Sequence, residues 1–94
     1  MEMEKVKELV KKELESIGKF FDTSESVRGY TGNYRFTNDD IDVSLQEFYS
    51  EWQEYINIYV SFELNGLDYE IISFKATPQS IAKLFAEYKR IKGE

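Results

Sequence analysis

Between Tyr55 and Lys75 apolar and polar side chains alternate on either side of a single Asn-Gly step, a pattern that constrains this stretch to a β-hairpin. Ile56, Ile58, Val60, Phe62 and Leu64 alternate with Tyr55, Asn57, Tyr59, Ser61 and Glu63, as a strand buried on one face requires. Asn65-Gly66 follows, and a type I′ turn needs positive φ at both central positions. The return strand covers Leu67 to Lys75. If the turn sets the register, Leu67, Tyr69 and Ile71 point inward while Ile72 and Phe74 point outward. The pattern therefore predicts a bulge near Glu70–Ile72 that flips the register; without it the outer face carries an apolar patch.

The same two-residue period occurs earlier. Ile41, Val43 and Leu45 alternate with Asp42, Ser44 and Gln46, and Tyr30, Tyr34 and Phe36 alternate with Thr31, Asn33 and Arg35. Thr37-Asn38-Asp39-Asp40 supplies the turn between them. These four strands form an antiparallel meander.

Outside the strands the period lengthens to that of a helix. Met3, Val6, Leu9, Val10, Leu14 and Ile17 make one apolar stripe ended by Gly18, which is expected to take a left-handed conformation. Thr77 and Pro78 form an N-cap and first-turn pair before Ile81, Leu84, Phe85, Tyr88 and Ile91. Lys89, Arg90 and Lys92 occupy the last turn, where the helix dipole favours cations, and Gly93 closes it. The predicted class is α+β: an N-terminal helix, a four-stranded antiparallel meander and a C-terminal helix. Each strand has one polar face, so both helices cover one side of the sheet and leave the other open.

A chain of 94 residues builds one core, so residues 1–94 are read as a single domain. Seven Phe, seven Tyr and one Trp, with only one Pro and five Gly, argue against disorder. The chain has no Cys and no His, which excludes thiolate nucleophiles, imidazole bases and Cys/His zinc sites. No cofactor is expected. The charged opening MEMEKVKELVKKELES reads as neither a signal peptide nor a membrane span, and the expected location is the cytoplasm.

Charge is unevenly distributed. Residues 1–21 are balanced and residues 71–94 carry a net +3, whereas residues 22–70 carry −9, with Arg28 and Arg35 their only cations. Both arginines are expected to act as internal ion-pair partners. Pairing through the hairpin sets Glu63 opposite Asp68, with Glu70 one step further along. Like charges opposed on a sheet are mildly destabilising, by up to about 1 kcal/mol. Acidic surfaces also keep small domains soluble, a simpler account of the same charge.

A negative surface argues against direct nucleic-acid binding, because phosphate contacts need Lys and Arg. It favours a basic protein partner, including one that itself binds nucleic acid. The segment EFYSEWQEY, residues 47–55, is read as a connection between strands that mixes aromatic anchors with acids. Some of its rings are expected to close the end of the core. The candidate partner-binding residues are Asp42, Glu47, Glu51, Trp52, Glu54, Glu63, Asp68 and Glu70.

Other chemistries fit less well. A calcium loop beginning at Asp40 would put Leu45 where a glycine is needed, and its residues alternate as a strand. Gly29 and Gly32 lack the Lys-Ser/Thr partner and following helix of a phosphate loop. No carboxylate pair is marked out for acid–base work, so an enzyme is not expected. The alternative to partner binding is self-association, through a sheet edge or a Tyr59, Ile72 and Phe74 patch, and a monomer or weak homodimer is expected.

In size, acidity and helix–meander–helix order the chain resembles the small acidic inhibitors encoded by bacteriophages, including anti-CRISPR proteins. Several of those present carboxylates in place of phosphates within a nuclease's nucleic-acid groove. The resemblance implies an inhibitor or modulator of a basic, nucleic-acid-binding protein such as a CRISPR effector nuclease. It covers layout and composition and carries no residue pattern. The basic end of the last helix departs from it.

Overall fold

The computed structural model describes residues 3–22, 34–38, 40–49 and 54–93. In order these form α1 (Met3–Ile17), β1 (Phe21–Asp22), β2 (Tyr34–Thr37), β3 (Ile41–Tyr49), β4 (Glu54–Leu64), β5 (Leu67–Ser73) and α2 (Pro78–Lys92). The strands pair antiparallel in chain order, as the expected meander requires, with two-residue β1 added beside β2 as a fifth, edge strand. The readings of Tyr30, Thr31, Asn33, Arg28, Gly29, Gly32 and Asp39 lie outside the described residues.

Local chemistry explains each boundary. Asn65 and Gly66 take φ of 53° and 78°, the left-handed pair of a type I′ turn, and Gly66 tolerates this because it has no Cβ. Asn38 makes the β2–β3 turn: its Oδ1 accepts from the amides of Asp40 and Ile41, each at 2.8 Å. Thr77 caps α2 in a reciprocal box, its Oγ1 accepting from the Ser80 amide at 3.0 Å while Ser80 Oγ accepts from the Thr77 amide at 2.8 Å. Gly93 closes the helix with its amide on the Arg90 carbonyl. Gly18 departs from expectation. Its φ is 154°, extended but open chiefly to glycine, although its amide still bonds the Leu14 carbonyl at 3.0 Å.

Both helices bury their stripes against the same face of the sheet. Val6, Val10 and Leu14 of α1 and Ile81, Leu84, Phe85 and Tyr88 of α2 meet Phe36, Ile41, Val43, Leu45, Ile56, Ile58, Val60 and Phe62 in one core. Tyr88 meets Phe62 edge to face with ring centres 4.8 Å apart, and Phe62 stacks on Tyr69 at 5.4 Å, which places α2 over β4 and β5. Phe20, just past α1, packs edge-on to Phe36. Lys7 and Lys11 lie over the Tyr34 and Phe36 rings, which sets α1 over β2. Lys89 clasps the helices together, reaching Ser16 Oγ at 3.2 Å and Glu13 at 4.0 Å.

The β4–β5 ladder runs without interruption from Leu64–Leu67 to Ile58–Ser73, so the expected bulge at Glu70–Ile72 is absent. The irregularity comes later. Ser73 lies opposite Ile58, yet it is Ala76 whose amide reaches the Ile56 carbonyl, at 2.8 Å. A two-residue step on β4 is thus matched by a three-residue step opposite, and Lys75 absorbs the extra residue at φ 60°. Its amide is held at 3.2 Å by Asn57 Oδ1, a buried side chain. The delay returns Ala76 to the core but leaves Ile72 and Phe74 outside, 39% and 68% exposed.

Candidate interaction surface

The sheet face opposite the two helices is ordered by strand register into rows that run across the sheet. Asp42, Ser61 and Glu70 form one row, and Glu63 and Asp68 form the next towards the hairpin tip. At the usual strand spacing Asp42 and Glu70 stand roughly 10 Å apart. In the other direction the chemistry changes: Ser44, Tyr59 and Ile72 share a row, Gln46 and Asn57 form the next, Tyr55 follows, and Phe74, just past the end of β5, is exposed. Acid at one end of the face therefore gives way to aromatic and aliphatic surface at the other.

Neighbours decide which of these acids carry free charge. Arg35 grips Asp42 with two bonds, Nε to Oδ1 at 2.9 Å and Nη2 to Oδ2. The hydrogen bond and the charge of Asp42 together raise the Arg35 pKa above its ordinary value. This is the internal pairing expected for Arg35, and it neutralises Asp42. Glu63, Asp68 and Glu70 are exposed and, among the described residues, form no ion pair. Glu63 faces Asp68 directly, as the hairpin chemistry requires. Lys75 extends over the Tyr55 ring, 5.6 Å from its centre, and so sits on the aromatic part.

The rest of the expected site is distributed differently. Segment 47–55 is not a single connection, because β3 continues to Tyr49 and β4 begins at Glu54. Glu47 pairs with Ile56, whose side chain enters the core, so Glu47 belongs to the helix-covered side and not to the acidic corner. Glu51 and Trp52 lie outside the described residues, as does the side chain of Glu54. The structure thus brings Asp42, Glu63, Asp68 and Glu70 onto one face. The calcium-loop alternative has no support here, since Asp42 is taken by Arg35 and Leu45 is fully buried in a regular strand.

One feature escaped sequence reasoning. A groove of about 280 Å³ runs between β5 and α2, lined by Ile71, Ile72, Ser73, Lys83, Leu84 and Glu87 among others. Its sequence signal was present but indirect: β5 is the last strand of a meander, so one of its edges has no further strand to meet. No helix among the described residues is long and apolar enough to cross a membrane. Compared with known protein families, curated proteins and solved structures, the chain shows no match.

Proposed function

We propose that this protein is an interaction module that binds a basic protein and modulates it, most naturally one whose own ligand is a nucleic acid. One observation carries the reading: Glu63, Asp68 and Glu70 stand together, exposed, on the sheet face opposite the helices, with no ion pair among the described residues and with two of them directly opposed. A surface selected only for solubility gains nothing from that opposition, because one lysine there would add a cross-strand attraction and keep the face wet. Asp42 contributes its position and, through Arg35, little net charge. Carboxylates spaced across adjacent strands offer a basic groove the kind of anionic array it meets on a phosphate backbone.

The test uses the full chain as bait in a nuclease-treated lysate of its host. The protein eluted by salt is purified and its affinity measured against the wild type and against Glu63→Lys/Asp68→Lys/Glu70→Lys. A loss well beyond roughly tenfold is expected, with affinity falling steeply as salt rises. Unchanged affinity in a triple variant that keeps its fold would refute the reading.

A second reading is favoured by Ile72 and Phe74, two exposed apolar side chains at the end of β5. They suit self-association, with the acidic corner serving solubility. Sedimentation separates the two: a salt-insensitive dimer at micromolar concentration supports assembly, and a monomer supports partner binding.

A further inference from the structure

We infer that the free edge of β5 accepts an extended basic segment of the partner as a sixth strand, antiparallel to it. The inference rests on the proposed acidic-corner function and specifies how that corner is used.

The first argument is backbone phase. A two-residue type I′ loop closes on a pair that exchanges both hydrogen bonds, here Leu64 and Leu67. Bonded pairs then recur every second residue, at Phe62–Tyr69, Val60–Ile71 and Ile58–Ser73. The Ala76 amide on the Ile56 carbonyl falls in the same phase and checks the assignment. The amides and carbonyls of Asp68, Glu70 and Ile72 therefore point away from β4. β5 is the last strand of the sheet, so among the described residues these groups form an unused ladder.

The second argument is what flanks that ladder. Native edges are blunted by proline, bulges or charged side chains; β5 has no proline or bulge across its seven residues, and its charges, Asp68 and Glu70, are both acidic, so they deter another acidic strand but not a basic one. On the open face the ladder is bordered by Asp68 and Glu70, then Ile72. Towards α2 the edge is bordered by the groove between Ile71 and Leu84, which also reaches Ile72. An incoming strand with basic side chains at alternate positions would set them against the acids and place apolar side chains in the groove. Charge also decides between occupants. A second copy paired antiparallel along this edge would bring its own Asp68 and Glu70 to the same face, adding repulsion where a basic segment adds attraction.

The probe is a capped peptide of roughly eight residues alternating Lys and Val, long enough to span β5. Two further peptides carry N-methyl groups on either the Lys amides or the Val amides. Charge and side chains are unchanged, but only the Lys amides would donate to β5 in the antiparallel register. Methylated Lys amides should weaken binding by roughly tenfold or more, and methylated Val amides should leave it nearly unchanged. Amide exchange at Asp68, Glu70 and Ile72 should slow when the parent peptide is added. If both methylated peptides bind like the parent while Glu63→Lys/Asp68→Lys/Glu70→Lys abolishes binding, strand addition is wrong and the acidic-corner function survives. No saturable binding of the parent peptide would also overturn strand addition. So would a dimer in which those three amides are already protected without peptide. In both cases the salt-eluted partner still tests the acidic-corner function separately.

Discussion

Replacing Asp68 by Lys should stabilise this protein, and the size of the gain can be worked from the β4–β5 register. Asp68 and Glu63 are directly opposed and exposed, with their charges about 6 Å apart on adjacent strands. Two unit charges at that distance in a water-like dielectric repel by about 0.7 kcal/mol. At 0.15 M salt, with a Debye length of about 8 Å, roughly half of this remains. Asp68→Lys converts repulsion to attraction, so the gain is about twice the screened value, or ~0.7 kcal/mol. For a domain of this size that raises Tm by about 3–5 °C. The assay is thermal unfolding followed by circular dichroism in low and high salt. The gain should shrink to about a third or less in 1 M NaCl, where the Debye length falls to about 3 Å. Glu63→Lys should behave similarly, whereas Glu63→Lys/Asp68→Lys restores like charges and should fall back below either single variant. Additive stabilisation in that double variant, or a gain insensitive to salt, would refute the electrostatic origin.

Other consequences follow from the core and the helix ends. Phe85 is fully buried beneath α2, and Phe85→Ala should cost about 3–5 kcal/mol, a large part of the total stability and easily read from urea unfolding. Thr77→Ala opens the capping box and should cost about 1 kcal/mol, seen as a lower urea midpoint with an unchanged slope. The bidentate bond from Arg90 holds the Glu87 carboxyl below its ordinary value of about 4.5. A lowered folded pKa contributes stability that is present above that value and lost as pH falls through the folded one. Glu87→Gln should therefore lower the urea midpoint at pH 7, and the difference from wild type should close as the pH falls below the ordinary carboxylate range. A difference of constant size across that range would rule out the Arg90 bond as its source.

Several features of the surface were legible because they depend on neighbours in the chain. The Asn65-Gly66 turn places Glu63 opposite Asp68 through two residues of backbone chemistry, and alternation then assigns Asp42, Ser61 and Glu70 to the same face. The helix stripes and caps are local in the same sense, which is why Thr77, Pro78 and Gly93 marked the limits of α2. Even the tension between an Asn-Gly register and the outward Ile72 and Phe74 is legible in the sequence.

How that tension resolves is a tertiary matter. A bulge at Glu70–Ile72 would have hidden Ile72. The ladder stays regular instead, because Phe62, Tyr69 and Tyr88 already lock β5 beneath α2, and the extra residue is absorbed at Lys75, where the buried Asn57 side chain holds its amide. Arg35 could be expected to pair with an acid, but only the β2–β3 register brings it to Asp42 and so removes Asp42 from the free charge. Extension of β3 to Tyr49 turned Glu47 towards the covered side. Sequence alone therefore determined the α+β layout, the acidic middle and the opposed carboxylates, since each rests on contacts within a turn or two of chain. The three-dimensional packing decided which acids remain unpaired, which apolar side chains stay exposed and which strand keeps an open edge, because those outcomes depend on contacts between residues distant in sequence.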